Sequence, residues 1–277
     1  MLATSLSACS SVGFFVANAA VPFTASRRTT DLAYGVDARQ RLDVFAPKAG
    51  EHPIVVFFYG GSWTMGKKSQ YGFVGAALSA HGYVTVIPDY RLYPQVRFPE
   101  FVDDAAQAVA WVRMHAKEFG GNPDKIILMG HSAGAHMAAM LALNDIYLAR
   151  AGVPHDSIVG LVGLSGPYDL VPNTDTLNAI FSAPSTPQDW QPLRFASKRS
   201  PPALLLHGSD DKLVYVSNTQ KLTDALQSLG IRAQAHIYPG RGHADTIASF
   251  APVARFRTPA LEDTLKFLGS VTATGAN

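Results

Sequence analysis

The stretch Ile126-Ile127-Leu128-Met129-Gly130-His131-Ser132-Ala133-Gly134-Ala135-His136 decides how this chain reads. An apolar, partly β-branched run ends in Gly-His-Ser-Ala-Gly, and Ala138, Ala139, Met140, Leu141, Ala142 and Leu143 follow as a small-residue helix pattern. A buried strand that turns at once into a helix through G-x-S-x-G forms a sharp elbow. Its central serine is strained and carries its hydroxyl above the sheet. Glycines two before and two after keep side chains out of the crowded turn. The following helix aims free N–H groups and a partial positive charge at any oxyanion formed there.

Outward from the elbow, strands and helices alternate. On the N-terminal side, Leu42-Asp43-Val44-Phe45 alternates as a half-buried edge strand does. Pro53 to Tyr59 is a continuous apolar run, the pattern of a strand buried on both faces, and ends in Gly60-Gly61-Ser62-Trp63. A helix over about 69–81 leads to a strand at 83–88. Phe101, Ala105, Ala108, Val109, Val112 and Met114 then lie close to helical spacing. On the C-terminal side come an apolar run at 158–164, a strand at 203–206, a helix over about 217–229, a strand at 233–238 and a helix over about 259–269. This order predicts an α/β protein with a doubly wound, mostly parallel sheet flanked by helices. Residues 166–202, broken by Pro and Ser, form the one long connection; overhanging the strand ends, they are expected to act as a lid or pocket wall.

A length of 277 residues leaves room for one large domain. Residues 1–30, rich in Ala, Ser and Thr, read as a leader or flexible segment, with the folded domain spanning 31–277. A net charge of +2 argues against nucleic acid as the main partner. No apolar run reaches the roughly 18 residues of a spanning helix. The single cysteine, Cys9, excludes an internal disulfide framework and a Cys-based zinc site. Its setting, Leu6-Ser7-Ala8-Cys9-Ser10, resembles a bacterial lipobox and raises the expectation of a lipid anchor at Cys9 in the cell envelope or periplasm. Only eight residues precede Cys9, none basic; either the n-region lies upstream of Met1 or the match is accidental and the chain is cytoplasmic. Ala17-Asn18-Ala19 is a second candidate cleavage site.

A serine hydroxyl needs a general base, and histidine has the right intrinsic pKa. Of nine histidines, His243 lies in a glycine-flanked loop, Pro239-Gly240-Arg241-Gly242-His243, directly after the strand at 233–238. The chain order Ser, acid, His puts the acid between Ser132 and His243. There Leu206-His207-Gly208-Ser209-Asp210-Asp211 offers two adjacent aspartates. Backbone N–H groups of Gly61 and Ser62, in the loop after Tyr59, and of Ala133, next to the serine, are the candidate oxyanion donors. His131 and His136 are expected to pack or bond locally, and His207 to brace the Asp211 turn. Asp89 and Arg91 read as a structural pair, and Asp103 and Asp104 as a solvated helix face or first-turn acids. With no H-E-x-x-H and no phosphate-binding Gly-x-x-x-x-Gly-Lys pattern, neither a metal nor a nucleotide is expected.

These motifs together resemble the α/β-hydrolase carboxylesterases that carry H-G-G-x-W, then D-Y-R-L, then G-H-S-A-G, a group similar to hormone-sensitive-lipase-like and feruloyl-esterase-like proteins. The resemblance rests on Gly60-Gly61-Ser62-Trp63, Asp89-Tyr90-Arg91-Leu92, Gly130 to Gly134, Asp211 and His243. It implies an α/β-hydrolase fold and a serine esterase acting on small-molecule carboxylic esters without a cofactor. Its catalytic triad would be Ser132, Asp211 and His243, with the oxyanion hole at Gly61, Ser62 and Ala133. The H-G-x-x-D turn of the fold favours Asp211 over Asp210. Where the group carries the first His of H-G-G-x-W, this chain has Tyr59. Two alternatives share the layout: an arylformamidase-like amide hydrolase using the same triad, and a non-catalytic binding protein on a hydrolase fold.

Overall fold

The computed structural model describes residues 13–19, 21 and 26–273; Cys9 lies outside them. Eight strands form one sheet: β1 (Arg27–Ala33), β2 (Arg41–Ala46), β3 (His52–Phe58), β4 (Val84–Pro88), β5 (Gly121–His131), β6 (Ile158–Leu164), β7 (Ala203–Gly208) and β8 (Ala233–Tyr238). Their spatial order is β1-β2-β4-β3-β5-β6-β7-β8. The first two pairings are antiparallel and the other five parallel. Every strand from β4 on is therefore reached by a crossover. The loops leaving the carboxyl ends of β3, β5, β7 and β8 open on one edge of the sheet, where ligands bind in such folds. Those four loops carry Gly61 and Ser62, Ser132, Asp211 and His243.

Burial explains the strand reading. Ile126, Ile127, Leu128 and Met129 in β5 are wholly enclosed, as are Ile54 to Phe58 in β3, because helices cover both faces. β2 is covered by β1 on one side and β4 on the other, so it is an inner strand and not the predicted edge. The edge belongs to β1, whose polar run Arg-Arg-Thr-Thr-Asp starts before the expected domain boundary at Asp31.

The helices are α1 (Gly72–Ser79), α2 (Glu100–His115), α3 (Ala133–Leu143), α4 (Asp145–Arg150), α5 (Asp175–Ile180), α6 (Pro187–Trp190), α7 (Ser217–Ser228), α8 (Asp245–Ala248) and α9 (Ala260–Thr272). Among the described residues, no helix is long and apolar enough to cross a membrane. Residues 13–18 form a further helical turn against the start of α1. There Asn18 Nδ2 donates to Gln70 O at 2.7 Å and Asn18 Oδ1 accepts the Phe73 N–H at 3.0 Å.

All eleven residues of α3 are buried. Small side chains make this close packing possible. A Cβ on Gly134 would stand 2.0 Å from Phe58 O, and one on Gly130 2.2 Å from Gly134 O. Gly134→Ala gains about 0.5–1 kcal/mol of helix propensity but forces a methyl into backbone, which typically costs about 1–3 kcal/mol or more. The second effect wins, since a strand carbonyl cannot rotate away as a side chain can. Gly134→Ala is expected to lower the urea midpoint; an unchanged or raised midpoint would contradict this packing.

Candidate active site

Ser132 sits between β5 and α3 at φ 54° and ψ −123°, a conformation L-residues rarely adopt. The elbow is held from both sides. Ser132 N–H donates to Leu164 O at the end of β6 (2.9 Å), while Ser132 O accepts from Ala135 and His136 N–H (2.9 and 3.1 Å). The strain at Ser132 is thus maintained by the bonds of its own N–H and carbonyl.

The glycine loop lies directly over the elbow, since a Cβ on Gly60 would come within 2.9 Å of Ser132 Cβ. Gly61, Ser62 and Trp63 are all left-handed, at φ 133°, 51° and 58°. The Gly61 carbonyl is bonded back to the Thr64 and Met65 N–H groups at 3.0 and 3.1 Å, which closes the loop into a turn. Among the described residues, the Gly61 and Ser62 N–H groups meet no protein acceptor. Ala133 opens α3, so its N–H also has no partner within the helix.

Tyr59 stands where the resemblance has histidine, and it is built into the base of this loop. Its hydroxyl donates to Asp89 Oδ1 (2.6 Å) and accepts from Arg39 Nη2 (2.9 Å). Its ring stacks on Tyr90 and Tyr71, with centroids 4.8 and 5.4 Å away. Arg39 also donates to Gly66 O and Tyr90 O, both at 2.8 Å, so one guanidinium ties together the two ends of the region. Arg39 carried no motif and was not legible as a site-supporting residue.

The predicted Asp89–Arg91 pair does not form. Arg91 instead makes a two-pronged contact with Asp104, 2.6 Å at the closest approach, and Asp104 is completely enclosed rather than solvated. Arg91 N–H and the Gln40 amide also donate to that carboxylate, which offsets the cost of burying it.

Asp211 follows β7, with its side chain fully buried. Its Oδ1 accepts the N–H groups of Leu213 and Val214, each at 2.9 Å. Its Oδ2 meets His243 Nδ1 at 2.7 Å and His207 Nε2 at 3.1 Å. Burial alone would raise the Asp211 carboxyl. The hydrogen bonds from His207, His243 and the Val214 N–H outweigh it and hold the group far below the usual carboxylate range. An ionised Asp211 is acceptor-only, so His243 Nδ1 must carry the proton and His243 Nε2 is left with its lone pair. His207, fully enclosed, also contacts Thr219 Oγ1 through Nδ1 (2.8 Å) and Val214 O through Nε2 (2.9 Å), bracing the turn as expected. Asp210 is exposed and receives the Ser209 hydroxyl.

A link that sequence separation concealed joins the elbow to the histidine loop. His131 Nε2 lies 3.1 Å from His243 O, across 112 positions, and the two rings are 4.9 Å apart. A carbonyl only accepts, so Nε2 is the protonated nitrogen of His131. Burial, reinforced by His243, pushes His131 down to about 3, so it is neutral and cannot repel a positively charged His243. On the other side, Gly242 N–H donates to Asp245 Oδ2 at 2.8 Å. His243 is therefore held at its side chain, at its own carbonyl and at the preceding N–H.

The connection 166–202 contains α5 and α6 and closes over α3. His136 Nε2 donates to Trp190 O at 2.6 Å, and burial pushes His136 down to about 4, keeping it neutral. Trp63 stands edge-on to both His136 and Phe181, at centroid distances of 5.2 and 4.8 Å. The glycine loop, the elbow helix and the long connection thus share one aromatic cluster.

Several known proteins are similar to this chain. The BD-FAE family model matches residues 42–226, a span that includes Ser132 and Asp211 and ends before His243. Isoprenylcysteine alpha-carbonyl methylesterase ICME of Arabidopsis thaliana is 32% identical over 238 residues, 77% of this chain and 56% of that protein. Esterase LipC of Mycobacterium tuberculosis H37Rv is 30% identical over 233 residues, 76% of this chain and 58% of that one. The chain thus spans little more than half the length of these relatives. A truncated carbohydrate esterase from gut microbiota superposes with a TM-score of 0.77 at 22% identity, covering 91% of this chain and 98% of that one. Thermogutta terrifontis esterase 2 does so at 0.76 and 22%, covering 91% and 97%. At that identity the structural likeness is one of fold, the α/β-hydrolase fold. The family match takes in well over half of the sequence, and the chain belongs to the BD-FAE family.

Proposed function

We propose that this protein is a serine hydrolase of carboxylic esters, with Ser132 as nucleophile, His243 as general base and acid, and Asp211 as the group that orients His243. The observation that carries the reading is the 2.7 Å contact between Asp211 Oδ2 and His243 Nδ1. It leaves His243 Nε2 basic, in a loop pinned to the elbow of a strained serine. That relatives at 30–32% identity are named as esterases supports the choice of bond.

The reaction follows from the tautomer. As Ser132 Oγ bonds to the ester carbonyl carbon, its proton passes to His243 Nε2, and the imidazolium is stabilised by Asp211. The carbonyl oxygen becomes an oxyanion facing the N–H groups of Gly61, Ser62 and Ala133. Such a donor is worth about 10²–10³ in turnover. The tetrahedral centre then expels the alcohol, which takes the proton from His243. Water enters with its proton passing to His243, and the acid leaves as Ser132 Oγ recovers that proton. The connection 166–202, resting on Trp63 through Phe181, walls the acyl side.

A profile of kcat/KM across p-nitrophenyl acyl esters, aryl esters and N-formyl amides tests the bond. Ester hydrolysis exceeding formamide hydrolysis by at least tenfold is expected. Faster cleavage of N-formylkynurenine would move the protein to amide chemistry with the same residues. Failure of a fluorophosphonate probe to label Ser132 would remove the hydrolase reading altogether.

A further inference from the structure

Beside the histidine loop lies a cleft of about 480 Å³ between the end of β8, the loop 239–241 and the start of α9. Arg241, Arg255 and Arg257 line it, with Tyr238 and Phe256 as apolar wall. Its one carboxylate, Glu262, is paired with Lys266 at 2.9 Å. Arg257 pairs with Asp245 at 2.5 Å. The side chains of Arg241 and Arg255 have no ion pair or hydrogen bond among the described residues. Arg241 feels the Asp245 carboxylate only through space, so two guanidiniums, neither held in an ion pair among the described residues, face one concavity in a chain that is close to neutral overall.

We propose that this cleft is an anion-binding site for a phosphate-class group, held by Arg241 and Arg255 with Arg257 as a third donor. Guanidinium forks match phosphate oxygens geometrically, and the binding is charge-assisted. The apolar wall implies that the anion is carried on a larger body. Two sources share this chemistry: a free phosphorylated small molecule and a phospholipid headgroup. Phe256 and Val253, 79% and 56% exposed on the same loop, would meet the apolar part of either.

The site is tested by binding, without reference to turnover, so its failure is separable from failure of the esterase reading. Inorganic phosphate is titrated calorimetrically against chloride at matched ionic strength, and sedimentation with phosphatidylglycerol vesicles is compared with phosphatidylcholine. Both are repeated with the doubly substituted R241Q/R255Q protein, checked for an unchanged denaturation midpoint. Saturable phosphate binding weakened at least tenfold in the variant establishes the site. Vesicle binding lost in the variant establishes it with a headgroup as source, and phosphate binding without vesicle binding assigns a free anion. No binding in either arm, or undiminished binding by the variant, overturns the proposal.

Discussion

Ser132→Ala is expected to lower kcat on a short p-nitrophenyl ester by about 10⁶-fold, the scale seen when a triad nucleophile is removed from a serine hydrolase. The strain at this position makes the experiment clean. Alanine carries the same Cβ as serine, so φ 54° costs it no less and no more, and the bonds that enforce the elbow run through the backbone. The denaturation midpoint should therefore stay close to wild type while turnover disappears. Activity should not fall to that of water: the N–H groups of Gly61, Ser62 and Ala133 are untouched, and such donors with substrate binding leave about 10³–10⁴ over the uncatalysed rate. Steady-state kinetics on protein free of wild-type carry-over, with a parallel melt, checks both statements. Wild-type-like turnover by the alanine variant would refute Ser132 as nucleophile.

How much of this was legible in sequence depended on whether the signal was local. The apolar run Ile126 to Met129 followed by G-x-S-x-G announces a strand, a turn and a helix within one window, and β5, Ser132 and α3 stand where that window puts them. The glycine loop and the Asp211 turn are equally local. β1 was missed because an edge strand needs no apolar face: almost every residue of Arg27–Ala33 is exposed, and its run of polar side chains has no period to detect. The sequence pairs Arg91 with Asp89 because they are two residues apart, but the segment past β4 is irregular and Asp89 is already taken by the Tyr59 hydroxyl and the Lys68 N–H. The carboxylate that meets the Arg91 guanidinium is on α2, thirteen residues on. The contact of His131 with the His243 carbonyl was beyond reach for the same reason. Pairing across 112 positions is set by which loops share a sheet edge, and only the folded topology states that.

Asp211→Asn and Asp210→Asn form the decisive comparison for the acid, since the two side chains are adjacent in sequence and opposite in environment. Asp211 receives four donors: two backbone N–H groups at Oδ1, and His243 and His207 at Oδ2. An asparagine has one acceptor oxygen. Keeping it toward Leu213 and Val214, where two N–H groups would otherwise be buried unpaired, turns the amide NH₂ toward the histidines. His243 must then accept at Nδ1 and carry its proton on Nε2, the tautomer that cannot take a proton from Ser132. The expected loss in kcat is about 10⁴-fold. Asp210 is exposed and bonds only the neighbouring Ser209 hydroxyl through its side chain, so Asp210→Asn should change kcat by no more than about threefold. Stability supplies a second readout with a definite sign. The Asp211 carboxyl is depressed in the folded state, so its contribution is fully present above the unfolded carboxylate pKa of about 3.9 and is lost as pH falls through the folded value. The stability gap between wild type and Asp211→Asn should be widest near neutral pH and narrow on acidification below about pH 4. Urea melts across that range measure it. A gap that widens toward acid, or an Asp210→Asn variant that loses activity in place of Asp211→Asn, would transfer the role to the neighbouring residue.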